Sequence, residues 1–275
     1  MKKNILWIVL SLGLLTACGT TSHVSDKSLP TEESSSTTET STQEPIESPP
    51  MALASIDVLV LYDKEVKETY SDINTRVTYL FDVSNSIYAE SHLNVQIHPK
   101  KILFYDAQSH PALAEIATNK DIQALRETYQ ADTVLIYQLN PYGEYGQCGI
   151  SYGALSYEKT EYFKEAMYAQ VEINCPSDTT AHELGHNMGL VHSHRQDGAN
   201  PLPYSYGLGH GVDGKFATIM AYAYIFNTNR QIAKFSSPEY ECIPGEPCGI
   251  PIGQEGEAHA TKVIEMIAPK IAALY

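Results

Sequence analysis

Apolar runs and helical patterns alternate along the chain between residues 54 and 173. ASIDVLVLYD (54–63) is a nearly continuous apolar run rich in β-branched residues, which predicts a buried strand. Residues 94–105 alternate well enough for a second strand, and TVLIYQL (133–139) predicts a third. Two further strands are predicted at 149–155 and 167–173. Five strands of this kind supply enough apolar surface for one central sheet.

Helical patterns lie between and after these strands. Asp72 is suited to cap a helix that continues to about Ser91. Shorter patterns predict a helix at 121–129 and a closing helix at 257–275, which we expect to be interrupted near Pro269. The apolar face of the first helix is expected to contain Val77, Leu80, Phe81, Ser84, Ile87 and Tyr88. Strands that alternate with helices favour crossover connections, so we predict an α/β fold with a largely parallel sheet.

The first 18 residues, MKKNILWIVLSLGLLTAC, have the organisation of an export signal. Two lysines precede an apolar stretch from Ile5 to Leu15, which is too short for a comfortable membrane span. The sequence from Leu15 to Cys18 resembles a bacterial lipobox, in which cleavage precedes the cysteine and lipid is attached to it. We therefore predict a lipoprotein signal peptide at 1–17 and lipid on Cys18. The alternative is an ordinary secretory signal with an incidental cysteine.

Residues 18–50 differ abruptly in composition from the rest of the chain. They are rich in Ser, Thr, Glu and Pro and almost devoid of apolar residues, so we expect a disordered tether. The remaining residues, 51–275, suffice for one domain with a sizeable core. The formal charge of the whole chain is −15, and removing the signal (+2) and the tether (−5) leaves −12 for this domain. Such a surface repels nucleic acid and anionic lipid, so localisation at the cell envelope or cell surface would depend on the lipid anchor.

Four cysteines remain in the domain if Cys18 is lipidated: Cys148, Cys175, Cys242 and Cys248. An even number in an exported domain indicates two disulfides, for which three pairings are possible. The segment IPGEP between the last two cysteines has turn chemistry, so that pair can close locally and leave the first two for each other. Zinc binding by all four is the competing interpretation, but their spacings fit it poorly.

The stretch HELGHNMGLVH, from His182 to His192, contains the candidate chemistry. Histidines four apart on a helix lie on one face, so the imidazoles of His182 and His186 can converge on one metal ion. Gly189 can end the helix and turn the chain, which would bring His192 round as a third ligand. Glu183 can lie beside the metal and accept a proton from water. Three neutral nitrogens and an open fourth position are typical of a catalytic zinc site.

The full HExxHxxGxxH pattern is much rarer than HExxH, and a methionine follows it at Met220 in ATIMAY. The alternative, a surface helix that happens to contain histidines, requires several coincidences. His194 is a rival ligand, but its spacing is wrong and we expect it to be a solvent-facing loop residue. The remaining lone histidines are expected to be surface or structural residues: His92, His98, His110, His210 and His259.

These motifs make the chain resemble a metzincin zinc endopeptidase. IDVLVLYDKEV, ADTVLIYQL, YGQCGISY, NCPSDTTAHELGHNMG, ATIMAY and IAKFSSP, in that order, resemble the bacterial reprolysin-like peptidases, of the peptidyl-Asp metalloendopeptidase type. The resemblance covers most of 54–265. It implies two subdomains: an upper one with a twisted, mainly parallel sheet, an antiparallel edge strand and two long helices, and an irregular lower one that ends in a helix. Residues 149–155 are our candidate for the edge strand, with which substrate would pair.

The resemblance also implies roles for individual residues. His182, His186 and His192 match the zinc ligands, Glu183 the general base, and Met220 the methionine that packs beneath the metal. Tyr222 stands where some members of the family have a tyrosine that reaches the zinc or the oxyanion, although a packing role is an equally good interpretation. These roles together predict Zn²⁺ as cofactor.

Two features depart from the family pattern. The family commonly has Asp directly after the third histidine, whereas this chain has Ser193, so the role of that Asp must be absent or replaced. An acidic domain is also a poor match for acidic substrates. Arg195, Lys215 and Arg230 could form a local basic pocket, but an ordinary surface charge is the simpler interpretation of each. We therefore predict no specificity for Asp.

The sequence thus predicts a monomeric, membrane-tethered zinc endopeptidase that acts on protein or peptide substrates and does not bind nucleic acid. A different class of protein is the main alternative: a surface lipoprotein that binds another protein and retains a structural zinc site. A zinc hydrolase acting on a non-peptide amide is a third. The intact Glu183 favours catalysis, because a structural site has no use for a base.

Overall fold

A computed structural model describes residues 52–106, 111–139, 147–153, 160–197 and 204–275, with the backbone alone at 160–162 and 197. These residues belong to one unit of the chain, Pro49–Tyr275. The predicted signal peptide and tether, including Cys18, lie outside the described residues.

A five-stranded sheet forms the centre of the unit, in the order β2-β1-β3-β5-β4. The strands are β1 (Ala54–Tyr62), β2 (Val95–Phe104), β3 (Thr133–Gln138), β4 (Gly149–Ser151) and β5 (Tyr168–Glu172). The first three and β5 pair in parallel, whereas β4 pairs antiparallel with β5 at one edge. This confirms the predicted mainly parallel sheet with an antiparallel edge strand. The edge strand is shorter than predicted: it ends at Ser151, and residues 154 and 155 lie outside the described part.

Helices cover both faces of the sheet, which explains why its central strands are apolar throughout. The helices are α1 (Lys64–Thr69), α2 (Ile73–Glu90), α3 (Leu113–Thr118), α4 (Lys120–Tyr129), α5 (Thr160–Ala166), α6 (Thr179–Asn187), α7 (His194–Asp197) and α8 (Ala260–Ile271). On one face, buried side chains of α2, α6 and α8 pack against β1, β3 and β5. On the other, α3 and α4 pack against β1 and β3. Helices α6 and α8 therefore share one core.

Helix α2 follows its sequence pattern closely. It begins after Asp72, whose carboxylate accepts a hydrogen bond from the backbone N–H of Thr75 at 3.1 Å. Its buried side chains are the six that the pattern predicted: Val77, Leu80, Phe81, Ser84, Ile87 and Tyr88. The Tyr88 ring stacks on Phe235, with 5.6 Å between ring centroids, and so links α2 to the C-terminal half of the chain.

The predicted interruption of the closing helix near Pro269 was wrong, because α8 continues to Ile271. Pro269 lies in the last turn, where its missing N–H removes a single helical hydrogen bond. Ile267 and Ile271 on either side are buried in the core, and this packing holds the turn in place. The helix also begins three residues later than predicted, at Ala260.

The segment after helix α6 contains more regular structure than its Gly-, Pro- and Asn-rich sequence indicated. It forms a three-stranded sheet and a hairpin of two further strands. Their strands are β6 (Gly211–Val212), β7 (Phe216–Thr218), β8 (Gln231–Ile232), β9 (Glu241–Ile243) and β10 (Glu246–Pro247), with a 3₁₀ helix at Ala223–Phe226. The turn predicted at Asp213-Gly214 joins β6 to β7, and Gly214 has a φ of 69° there. No helix among the described residues is long and apolar enough to cross a membrane.

All four domain cysteines form disulfides, so the alternative of a four-cysteine zinc site is excluded. Cys242 pairs with Cys248 across the short loop, and Cys148 pairs with Cys175. The second bond links the residue before β4 to the segment between β5 and α6. It therefore fixes the edge strand relative to the start of helix α6.

Candidate metal centre

Helix α6 presents His182 and His186 on one face, and Gly189 then reverses the chain. Gly189 has a φ of 88°, a conformation that is strained for any residue with a side chain. Two backbone hydrogen bonds close the reversal: Gly189 N–H donates to His186 O at 2.8 Å, and Leu190 N–H donates to Gly185 O at 3.0 Å. The chain is thereby directed back towards the helix face.

This reversal brings His192 to the two helical histidines. One ring nitrogen from each of His182, His186 and His192 lies within 4.8 Å of the others, and all three side chains are half-buried. The Nε2 atoms of His182 and His192 are 3.2 Å apart. Among the described residues, these three form the one group of at least three His, Cys, Asp or Glu side chains that could hold a metal ion.

Hydrogen bonds fix the orientation of two of these rings. His182 Nδ1 lies 2.8 Å from Ile219 O, and His186 Nδ1 lies 2.9 Å from Leu190 O. A carbonyl oxygen can only accept, so Nδ1 carries the proton in both rings and Nε2 has its lone pair available. This is the tautomer that a metal ligand requires, with a backbone partner on the other nitrogen.

Burial favours the neutral form of His182. Burial, together with the neighbouring His186, lowers the pKa of His182 to about 3. A neutral imidazole can donate its lone pair to a metal, whereas a protonated one repels the ion. The three residues therefore fit a metal ion in donor type, and His182 and His186 also fit in tautomer.

Met220 packs beneath helix α6 and is fully buried. A Cβ added to Gly185 would lie 2.9 Å from Met220 Sδ, so the methionine contacts the helix backbone between the two histidines. Ile219, the residue before it, supplies the carbonyl that orients His182. The methionine segment thus supports the ligand face of the helix from below.

Tyr222 lies against the histidines and is 41% exposed, so it is not a core residue. Its ring centroid is 4.8 Å from that of His192 and 6.2 Å from that of His182. The structure thus places this tyrosine at the mouth of the site. Its role in reaching the zinc or the oxyanion stays a prediction.

Glu183 is 4% exposed and lies between helix α6 and strand β4. Its Oε2 accepts a hydrogen bond from Ser151 Oγ at 2.7 Å. Burial raises the pKa of Glu183 to about 7, and the Ser151 hydrogen bond opposes this shift. Gly149 allows the close approach, because a Cβ there would lie 2.5 Å from Glu183 Oε1. Ser151 and Gly149 belong to a distant segment of the chain, so motif reasoning did not identify their contacts with Glu183.

Ser193 stands where an Asp was expected and takes part in a hydrogen-bonded network. It is buried, and its Oγ donates to Gln196 Oε1 at 2.8 Å. The same Gln196 oxygen accepts the backbone N–H of Tyr222 at 3.0 Å. The third-histidine segment is thereby tied to the segment that follows Met220. Gln196 was missed from the sequence, where nothing distinguishes it from a surface glutamine.

The prediction that His194 faces solvent in a loop was wrong. His194 begins helix α7, is half-buried, and its Nε2 lies 3.0 Å from Glu257 O. This contact directs its ring to the segment before α8. Of the lone histidines, His259 is buried. Burial lowers the pKa of His210 to about 4. His110 lies outside the described residues.

A cavity of about 440 Å³ opens beside His182 and Glu183. It lies between strand β4, the start of helix α6 and the segment from Ile219 to Tyr224. Asp178 lines it, and burial raises the pKa of this carboxyl group above its usual value. The metal-binding face is therefore open on one side to a pocket of the size of a small ligand site.

The local basic pocket considered for Arg195, Lys215 and Arg230 does not form at this cavity. Arg195 makes two hydrogen bonds to the carboxylate of Asp213, at 2.7 and 2.9 Å. Lys215 pairs with Glu246. Arg230 is exposed and is not part of the cavity lining.

A mainly parallel sheet flanked by helices, with three histidines and a buried glutamate on and after one short helix, defines the class of metzincin-type metallopeptidases. Comparison with family models agrees with this class. Residues 52–236 match the reprolysin-type model of metallo-peptidase family M12, and the chain belongs to that family.

A curated relative and a solved structure extend the comparison. Peptidyl-Asp metalloendopeptidase from Pseudomonas aeruginosa is 31% identical over 239 residues, which cover 79% of this chain and 40% of the relative. The chain thus matches less than half the length of that protein. A chain in a structure titled "Structure of a chaperone-substrate complex" aligns with a TM-score of 0.60 at 23% identity, over 82% of this chain and 39% of that one. The second likeness shows the fold alone.

We expect His192→Ala to remove a tightly bound metal ion and His194→Ala to retain it. The first variant loses one of three converging nitrogens, whereas the second changes a ring that contacts Glu257 instead. Elemental analysis after reconstitution and dialysis should give about one ion per chain for the parent and His194→Ala, and an affinity lower by about 100-fold or more for His192→Ala. Equal metal content in both variants would contradict the ligand assignment.

Proposed function

We propose that the chain is a zinc-dependent endopeptidase that hydrolyses internal peptide bonds. The observation that carries this proposal is the juxtaposition of three ligand-ready imidazoles, a buried carboxylate and an open cavity. Membership of metallo-peptidase family M12 supports the reaction class. The relative's name indicates cleavage at Asp in that protein, but this cavity offers no lysine or arginine in its described lining, so we do not extend that preference to this chain.

His182, His186 and His192 would hold the zinc ion through nitrogen. Three neutral nitrogens suit zinc and leave room for a further ligand. The ion would supply Lewis-acid chemistry, polarising the scissile carbonyl and making water more acidic.

Glu183 is positioned to act as the general base and then as the general acid. Its carboxylate takes a proton from the attacking water, whose oxygen bonds to the carbonyl carbon. The C–N bond then breaks, and Glu183 passes the proton to the departing amine. The hydrogen bond from Ser151 to Oε2 holds the carboxylate in place for this proton transfer.

The edge strand supplies a way to bind an extended peptide. β4 is the last strand of the sheet as described, and Ile150 in its middle is 43% exposed. A peptide pairing with β4 would add a strand and run past Glu183, which contacts Gly149 and Ser151 of the same strand. This arrangement favours a peptide over a non-peptide amide as substrate.

A binding module with a structural metal site is the alternative from another class. It predicts that partner binding survives the loss of Glu183. The cavity beside His182 and Glu183 argues for catalysis, because a structural zinc site is closed by four protein ligands.

A proteome-derived peptide library tests the proposal. We expect the zinc-loaded full-length chain to cut internal bonds, and a chelator to abolish cleavage. Glu183→Gln should retain about one zinc per chain yet slow cleavage by roughly 100-fold or more, because proton transfer is lost. Sequencing the products by mass spectrometry and measuring zinc separately gives both results. Undiminished cleavage by Glu183→Gln would refute the assignment of the base.

Ser151 is proposed to position Glu183 without touching the substrate. Ser151→Ala removes the 2.7 Å hydrogen bond that orients the Glu183 carboxylate. The activation free energy should rise by about 1–2 kcal/mol, which lowers kcat roughly 5- to 30-fold. KM and zinc content should change little, and Ser151→Thr should restore most of kcat because it keeps the hydroxyl. A kcat for Ser151→Ala equal to that of the parent, or no rescue by Thr, would contradict this role.

We further propose that the peptidase acts at the cell envelope, held by lipid on Cys18 after removal of residues 1–17, with 18–50 as its tether. The lipobox-like sequence is what supports this. Metabolic labelling with a radioactive fatty acid in a bacterial host should mark the parent chain but not Cys18→Ala, which should be recovered from soluble fractions. Equal labelling of both chains would exclude Cys18 as the attachment site.

A further inference from the structure

The cavity beside the metal centre is placed to receive a substrate side chain. Its described lining joins residues of β4, helix α6 and the Ile219–Tyr224 segment, and it includes His182 and Glu183. If a peptide bond is cut at these two residues, a residue that flanks the cut bond lies at the cavity mouth. This inference therefore rests on the proposed peptidase function.

Apart from the proposed metal ion, the charged side chains that line the cavity have one sign. Asp178 and Glu183 are the acidic residues of the described lining, and that lining contains no lysine or arginine. Glu183 is occupied by the hydrogen bond from Ser151 and by its proposed role in proton transfer. Asp178 is therefore the carboxylate available to a bound side chain.

Asp178 has no ion-pair partner among the described lysines and arginines, and its carboxylate accepts a hydrogen bond only from its own backbone N–H. It stands at the cap position of α6, but its side chain makes no capping hydrogen bond there. No ion pair links it to any described lysine or arginine. A carboxylate left unpaired in a partly desolvated pocket attracts a cation more strongly than one in open water.

The rest of the lining suits a long basic side chain. Ile219 and Tyr222 in this lining offer apolar surface for an alkyl stem, while Gln147 and Gln231 are uncharged. An acidic side chain in the same place would instead meet the like charge of Asp178. Both considerations favour a cationic side chain over an acidic one.

We propose that this cavity selects a lysine or arginine next to the cleaved bond, and that Asp178 is the residue that determines this specificity. The substrate ammonium or guanidinium group pairs with the Asp178 carboxylate, and its stem packs along the apolar wall. The substrate class is thus a peptide that contains a basic residue at one of the two positions flanking the cut.

A matched peptide series tests the proposal on the zinc-loaded full-length chain. The peptides share one sequence and place Lys, Arg, Leu, Gln, Glu or Asp on either side of the cleavable bond, and mass spectrometry locates each cut. The parent chain should show a kcat/KM at least about tenfold higher for Lys or Arg than for Leu or Gln, and lowest for Glu and Asp.

Three variants assign the preference to Asp178. Asp178→Asn and Asp178→Ser remove the charge, and both residues are tolerated at a helix cap, so at least one should fold. In each, the Lys-to-Leu ratio of kcat/KM should fall towards one. Asp82→Asn is the matched control, because it makes the same charge change on an exposed position of α2 outside the lining, and its ratio should stay at the parent value.

A binding measurement gives a second reading without turnover. Fluorescence anisotropy with Glu183→Gln should show tighter binding of the Lys peptide than of the Leu peptide, and Asp178→Asn added to that chain should remove the difference. A parent chain that prefers acidic peptides or ignores charge would overturn the proposal while leaving the peptidase function intact. So would a Lys preference that survives in Asp178→Asn. Cleavage of no peptide at all would reject the peptidase function and this inference with it.

Discussion

The convergence of three imidazoles depends on a single chain reversal at Gly189. Two histidines one helical turn apart need no tertiary structure to share a face, but a third from the same short stretch requires the chain to turn back immediately. Only a residue that adopts a positive φ at little cost allows this within three positions. The reversal also places Leu190 O against His186, so the turn that delivers the third histidine orients the second one as well.

The sheet then determines what surrounds the histidines. Helix α6 follows β5 directly, and β4 pairs with β5 at the edge, so the edge strand and the helix lie side by side. The Cys148–Cys175 bond fixes this arrangement covalently. As a result, Gly149 and Ser151 meet Glu183, and the cavity forms between the strand and the start of the helix. From below, the Met220 segment closes the site against α6. Each wall of the pocket thus comes from an element that the active-site helix already contacts.

Local features of the site could be predicted from the sequence, and features that depend on distant contacts could not. The histidine spacing, the role of Gly189 and the apolar face of α2 are properties of a few consecutive residues, and the structure places them as their patterns indicate. The contact of Ser151 with Glu183 joins residues 32 positions apart, and a serine in a short edge strand has no distinguishing pattern. Ser193 stands where an Asp was expected, and Gln196 links it to Tyr222 by two hydrogen bonds. The bond to Tyr222 joins segments 26 residues apart, so it could not be predicted from local sequence. Pro269 shows the opposite case, in which a local pattern gave a wrong prediction. Proline disfavours a helix interior, but the core packing of the last turn keeps α8 helical to Ile271.

Different groups determine the charge at the three histidines and the charge in the neighbouring cavity. Burial favours the neutral form of His182, and its Nδ1 proton is directed to a backbone carbonyl, so this ring does not oppose a cation. Glu183 is kept close to the histidines and its carboxylate is held by a neutral donor, Ser151, and not by a lysine or arginine that would suppress its basicity. The potential basic neighbours, Arg195 and Lys215, are paired with Asp213 and Glu246 away from the cavity. Asp178 therefore forms no ion pair with a described lysine or arginine, and the overall acidity of the domain acts in the same direction. The arrangement of the described cations thus supports the proposal that this pocket receives a basic side chain and not an acidic one.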